Sequence, residues 1–176
     1  MAEIKKRIPR VTIEGVRILG GPFKNFSGRG DQYNREGDRH FTIEVPENLI
    51  EPMRNDGWQI KELAPREEGD TPTPILKVKV SYNPKAQPPD IVLVKMNRRT
   101  TLEESMVDTL DYLPMKNVDL IIHPYAWDVN GKQGVTAYLH KMFITVDTDE
   151  LDAKYADIPE DTPTYNDEDD AWDPTV

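Results

Sequence analysis

Along most of this chain hydrophobic and polar positions alternate one by one, the period of strands with one buried face. In "RVTIEGVRIL" Val11 and Ile13 share one face and Thr12 and Glu14 the other; Gly15 reads as a bulge, after which the phase resumes at Val16 and Ile18. "RHFTIEV" points Phe41, Ile43 and Val45 inward, "GWQIKEL" is a further short strand, and Asp90 to Met96 supplies another. "ILKVKVSY" turns Leu76, Val78, Val80 and Tyr82 inward and Lys77 and Lys79 outward. Two stretches break the pattern. "PENLIEPMRNDG" opens with Pro46 at a first-turn position and stops at Gly57, a short helix. "TLEESMVDTLDYL" has apolar residues at 102, 106, 107, 110 and 113, helical spacing, with Thr101 as the predicted cap and Glu104 three residues on.

The clearest signal is Asn130-Gly131 between "VDLIIHPYAWDV" and "KQGVTAYLHKMFITV", a two-residue primed turn joining alternating strands. A turn there pairs Val129 with Lys132, Trp127 with Gly134, Tyr125 with Thr136, His123 with Tyr138 and Ile121 with His140. One predicted face collects Trp127, Tyr125, His123, Tyr138 and His140; the other collects Leu120, Ile122, Ala126, Val135, Ala137, Leu139 and Phe143. The aliphatic face is a core face. The aromatic one needs another explanation, because a half-wet face ordinarily carries Lys, Thr and Glu. Some seven short strands with one or two short helices, in an order that is not βαβ, predict a mainly-β barrel.

Charge divides the chain. Residues 1–146 carry 21 Lys and Arg against 20 Asp and Glu, whereas residues 147–176 carry one Lys against twelve acids. The terminal segment is rich in proline and poor in aliphatic residues, so it cannot bury enough surface to offset its ordering entropy and is expected to be largely disordered. The predicted organisation is a body at 1–146 and an acidic tail at 147–176. Residues 1–41 are basic, with nine cations and five acids.

Catalytic motifs are sparse. Cys is absent, and His40, His123 and His140 have no ligand-like spacing, so no metal and no cofactor is expected. No nucleophilic set or phosphate-cradling loop is present, and the chain is expected not to be an enzyme. Asp90 with Lys95, and Asp119 with Asp128, are the nearest candidates for a Mg²⁺ nuclease site, with no distinctive spacing. No apolar run is long enough for a membrane span and no secretory signal opens the sequence, which places the protein in a cytoplasm, away from membranes.

Binding chemistry is better represented. Each base offers a π-face to an aromatic ring regardless of sequence, and Lys or Arg along the path neutralises phosphates and releases counterions. Phe23, Phe26 and Tyr33 among Lys24, Arg29, Arg35 and Arg39 have that composition, as do Tyr125, Trp127 and Tyr138 beside Lys132, with Lys77 and Lys79 on an outward strand face. These are the predicted single-stranded DNA contacts. The plainer alternatives are that Phe23 and Phe26 plug a barrel end, Trp58 fills the core, Lys77 and Lys79 are merely solvated, and His123 and His140 are packing residues. A tail of net charge −11 can fold over a cationic groove and be displaced by nucleic acid. Asp167, Glu168, Asp169, Asp170, Trp172 and Asp173 would then be a handle for partner proteins.

The stretches "FKNFSGRGDQYNREGDRHFTIEV", "DGWQIK", "NVDLIIHPYAWDVNGKQGVTAYLHKMFITV" and "NDEDDAWDPTV" together resemble phage-encoded single-stranded DNA-binding proteins, which have an OB-fold body and an acidic C-terminal tail. The resemblance implies an OB-fold-like Greek-key barrel, phage origin, action in the host cytoplasm during DNA replication or recombination, and contact with a polymerase, helicase or recombinase through the tail. One departure is that Trp172 precedes Asp173-Pro174-Thr175-Val176, where bacterial and several phage members end in acids followed by Phe. A homo-oligomer is left open. A Mg²⁺-dependent nuclease, and a protein–protein adaptor or virion component that ignores nucleic acid, stand as the rival readings.

Overall fold

Two strands of fifteen residues, β8 (Met115–Val129) and β9 (Lys132–Val146), form the hairpin on which the rest is assembled. The protein is described here by a computed structural model covering residues 7–83 and 87–146, together with 151, 154 and 155. Ahead of the hairpin come β1 (Val11–Ile13), β2 (Lys24–Asn25), β3 (His40–Glu44), α1 (Glu47–Asp56), β4 (Lys61–Leu63), β5 (Thr73–Lys79), β6 (Asp90–Lys95) and β7 (Arg98–Leu102). A 3₁₀ turn occupies Gly21–Phe23 and a 3₁₀ helix Glu104–Asp111. The protein is mainly β, as the alternation predicts. The named tail residues Asp167, Glu168, Asp169, Asp170, Trp172 and Asp173 lie outside the described residues.

The strands make one mixed sheet in the order β1-β8-β9-β5-β3-β2, with β4 on β5 and the β6–β7 pair on β9. β9 runs parallel to β5 and β6 and antiparallel to β8. The sheet curls on itself at Gly15, whose φ of +63° suits glycine. Before this bulge the chain pairs with β8. After it, the Leu19 N–H donates to the Thr42 carbonyl, the Glu44 N–H donates to the Arg17 carbonyl, and Ile18 bridges to Ile43 on β3. The bulge donor is not orphaned, since the Gly15 N–H reaches Asp119 Oδ1 at 2.8 Å. Val11–Ile13 thus pair with β8 and Arg17, Ile18 and Leu19 bond to β3, so this segment touches both ends of the run β8-β9-β5-β3.

Inside this ring lie Ile13, Phe41, Ile43, Leu76, Val78, Leu120, Ile122 and Met142, all nearly or fully buried. Met53 of α1, Trp58 after it, and Val107 and Leu110 of the 3₁₀ helix cover the remaining apolar surface. Gly57 ends α1 at φ +97°, as its sequence position predicts.

Three expectations are corrected. Thr101 is no helix cap but part of β7, paired with Val92. The segment begins as a hairpin turned at Met96 and Asn97, both at positive φ, and turns helical only after Glu103. Leu102 fits either period, which is why the helical spacing carried the expected start too far forward. The pairing of Ile121 with His140 fails as well: Ile122 pairs with Leu139 but Ile121 with Lys141, so His140 is the extra residue of a β-bulge. Beyond the bulge the phase of β9 inverts, so Met142 and Ile144 enter the core and Phe143, expected there, does not.

Candidate nucleic-acid interface

The face of β5 turned away from the core carries Lys77 and Lys79, and strand register fixes their neighbours. Lys77 stands opposite Thr42, while Lys79 lies between His40 on β3 and Tyr138 on β9. Tyr138 faces His123 on β8. Arg10, just ahead of β1, donates its Nε–H to His123 Nδ1 at 3.2 Å. His40, Lys79, Tyr138, His123 and Arg10 therefore form one row on the side of the sheet away from the core, because directly paired residues project on the same side, with His40 itself buried at the β3 end.

Two hollows flank this row. The first, about 390 Å³, is bounded by Phe23, Gln59, Lys61, Lys77, Lys79 and Thr136. The second, about 430 Å³, lies around Tyr125, Tyr138, His123, His140 and Arg10. Tyr125 and Tyr138 meet edge to face, centroids 5.9 Å apart at 78°, and Tyr125 is 59% exposed. Trp127 is half-buried and lies over its pairing partner Gly134, where a side chain would collide with the indole and with the Gln59 amide. The predicted aromatic face thus exists, on the water side, and Lys77 and Lys79 belong to the same surface. Lys77 also reaches Asp38 Oδ2 at 3.5 Å.

The basic loop between residues 20 and 39 divides into parts with different fates. Phe23 edges the first hollow. Phe26, expected to stack on a base, is fully buried and stacks instead on Phe41 at 5.1 Å and 19°, so it belongs to the core. Lys24 pairs with Phe41 and so projects on the side of the ladder opposite His40; it edges a separate cleft with Arg17 and Lys116. Burial lowers the pKa of its ammonium below the ordinary lysine value, with Asp111 opposing. Arg39 is committed elsewhere too, binding Glu104 Oε1 at 2.7 Å and the Phe26 carbonyl at 3.0 Å and lying over the Tyr82 ring. Arg29, Tyr33 and Arg35 are exposed, as is Lys132 at the hairpin turn.

The loop is also less free than its glycines suggest. The buried Asn25 amide donates to the Arg29 and Asp38 carbonyls and accepts from Gly28 N–H, and Asp111 accepts from the Phe26 and Ser27 N–H groups at 2.6 and 3.1 Å. These bonds satisfy backbone groups that a loop otherwise leaves to water.

Sequence reasoning missed Gln59, Lys61 and Arg10. The alternation in "WQIK" held a signal, since Gln59 and Lys61 lie opposite in phase to Trp58 and Ile60, and Trp58 is 3% exposed, in the core. Arg10 shares the phase of Thr12. His123 and His140 are drawn below the ordinary histidine pKa by partial burial and by Arg10, so at neutral pH they are uncharged. The carboxylates weighed for a Mg²⁺ site are dispersed: Asp90 lies 3.8 Å from Lys141, Asp119 accepts from Gly15, and Asp128 accepts from Gln133 at 3.3 Å. Among the described residues no three His, Asp or Glu side chains gather as metal ligands, and no helix is long and apolar enough to cross a membrane.

Solved proteins share this fold. A single-stranded DNA-binding protein from bacteriophage Enc34, solved in complex with ssDNA, superposes at TM-score 0.50 with 15% identity, over 80% of this chain and 88% of that one. A C-terminal truncation of the Enc34 protein gives TM-score 0.50 and 14% identity over 80% and 86% of the two chains. At such identities the likeness is one of fold. No curated protein matches the sequence. A family of binding proteins rather than enzymes, described as "Putative phage ssDNA-binding domain", matches residues 1–176, and the chain belongs to that family.

Proposed function

We propose that this protein coats single-stranded DNA without strong sequence preference, holding the strand across the outer face of β3, β5, β9 and β8. The observation that carries this reading is the row from Lys79 through Tyr138 and His123 to Arg10, with buried His40 at its β3 end, flanked by Lys77, Lys61, Phe23, Tyr125 and Trp127. Three strand spacings of about 4.8 Å make the accessible row roughly 14 Å long, room for a few nucleotides. Its lysines meet phosphates and its rings meet base faces, contacts available to any base. Arg29, Tyr33, Arg35 and Lys132 extend the path from the two loops that border the face.

The ring order supports reading the body as an OB-fold, a five-stranded barrel that binds oligonucleotides on its second and third strands and on the loops after the first and fourth. Here those strands are β3 and β5, and those loops are 20–39 and the Asn130-Gly131 turn. We assign residues 1–146 to this body and 147–176 to an acidic tail that competes with DNA and recruits replication or recombination proteins in the host cytoplasm. Twelve acids against one lysine support the competition.

A gel-shift titration with single- and double-stranded DNA, with and without EDTA, tests the reading. The expected result is preferential retardation of the single strand, indifferent to chelator. Degradation that stops in EDTA would establish a nuclease instead, and no shift with either DNA would leave a protein adaptor.

A further inference from the structure

The second hollow holds a group of side chains that base stacking does not explain. His140 lines it as the unpaired extra residue of the β9 bulge. Arg10 and His123 are joined by their 3.2 Å hydrogen bond, in which the imidazole accepts through Nδ1 and therefore keeps any neutral-state proton on Nε2. Among the described residues no carboxylate lies within ion-pair distance of Arg10. Arg7 edges an adjoining hollow with Arg10 and His123. Lys141 and Asp90 act on His140 electrostatically with opposite signs, and those two already pair with each other at 3.8 Å. Three groups able to carry positive charge thus meet with one acid nearby, itself neutralised.

We infer that Arg10, His123 and His140 are a phosphate clamp that grips one phosphodiester of the bound strand, with the adjoining base against Tyr125 and Tyr138, and that closing the clamp takes up protons. The inference rests on the proposed DNA path. A hollow of about 430 Å³ is in the range of small-ligand sites and suits one nucleotide. Without an anion, a proton on His123 removes the acceptor for Arg10 and sets two like charges in contact. With a phosphate between them, imidazolium and guanidinium both donate to oxygen, so the bound state favours the protonated imidazole. The depressed histidine pKa values of the free protein fit this: beside the permanent charge of Arg10 the two imidazoles are neutral at rest and charge on binding.

Oligo-dT affinity measured from pH 8 to pH 5.5 at fixed ionic strength tests the clamp. The expected tightening is about three- to tenfold as the histidines protonate, with at most tenfold per pH unit for each proton taken up. Calorimetry on the unaltered protein in two buffers of different ionisation enthalpy should read net proton uptake. His123→Gln with His140→Gln flattens the pH profile, and Arg10→Gln lowers the slope of log K against log salt by about 0.7, the loss of one phosphate contact on a single strand. Affinity that ignores pH, with no proton uptake, overturns the clamp and leaves the DNA path standing. Oligo-dT that fails to bind at every pH overturns the path itself. Oligo-dT with and without a 5′-phosphate separates the two sources of the anion: equal pH dependence supports an internal phosphodiester, and dependence confined to the phosphorylated end overturns that assignment.

Discussion

An indole laid against a sheet needs a floor without a side chain, and Gly134 is that floor beneath Trp127. Gly134→Ala should lift or tilt the ring and weaken oligo-dT binding. Trp127→Ala and Tyr125→Ala should each cost about 1–3 kcal/mol of binding, one lost stack apiece. Fluorescence titration reads all three, and unchanged affinities would take these rings off the DNA path. The same corner of the sheet predicts a pH effect on stability. Partial burial and Arg10 hold the folded-state pKa of His123 below the ordinary histidine value, so the unfolded chain binds more protons as pH falls through the histidine range. Its contribution is whole above the unfolded-chain pKa and is lost as pH falls through the lower folded-state pKa, so urea midpoints at low salt without DNA should fall as pH drops from 7 toward 5. A midpoint rising over that interval would contradict the assignment. At this scale the sequence is least informative: in "FKNF" two identical residue types sit three apart, yet Phe23 edges the groove and Phe26 stacks on Phe41 in the core. What separates them is tertiary packing, which residue type does not encode.

Elements were legible wherever one face of a strand meets the core. The alternation around Phe41, Leu76 and Val78, the glycine bulge at Gly15, the stop at Gly57 and the Asn130-Gly131 turn were all readable, because each has a residue type that its geometry requires. The second hairpin turn was not, since Met96 and Asn97 adopt positive φ without glycine. Nor was the β9 bulge, where His140 is an ordinary residue for a strand and only the burial of Met142 and Ile144 reveals the inverted phase. That bulge is an insertion in the β8–β9 ladder. Deleting His140 would leave Leu139 opposite Ile122, Lys141 opposite Ile121 and Met142 opposite Leu120, with Met142, Ile144 and Val146 still facing inward. The deletion variant should therefore still unfold cooperatively on heating, whereas inserting one residue after Met142 would turn Ile144 and Val146 outward, each exposed large apolar side chain forfeiting roughly 1.5–3 kcal/mol. Loss of cooperative melting on deleting His140 alone would contradict this account of β9.

For the whole molecule the division of charge matters more than its total. The body is nearly neutral and its outer face gathers Lys61, Lys77, Lys79 and Arg10, while residues 147–176 hold a net −11. Truncation after Val146 should tighten oligo-dT binding, most at low salt, because an intramolecular anion is removed and its effect is screened as ions are added. Equal affinities at every salt concentration would make the tail a solubiliser. The central claim is which face carries the strand, and the molecule offers an internal control in the separate cationic cleft of Arg17, Lys24 and Lys116. The direct measurement is the salt dependence of oligo-dT affinity for Lys77→Gln with Lys79→Gln beside that for Arg17→Gln with Lys116→Gln. The first pair should weaken binding and flatten the slope of log K against log salt by about 1.4, two phosphate contacts on a single strand, while the second leaves both unchanged. The opposite outcome, loss confined to Arg17 and Lys116, would put the DNA on the other face.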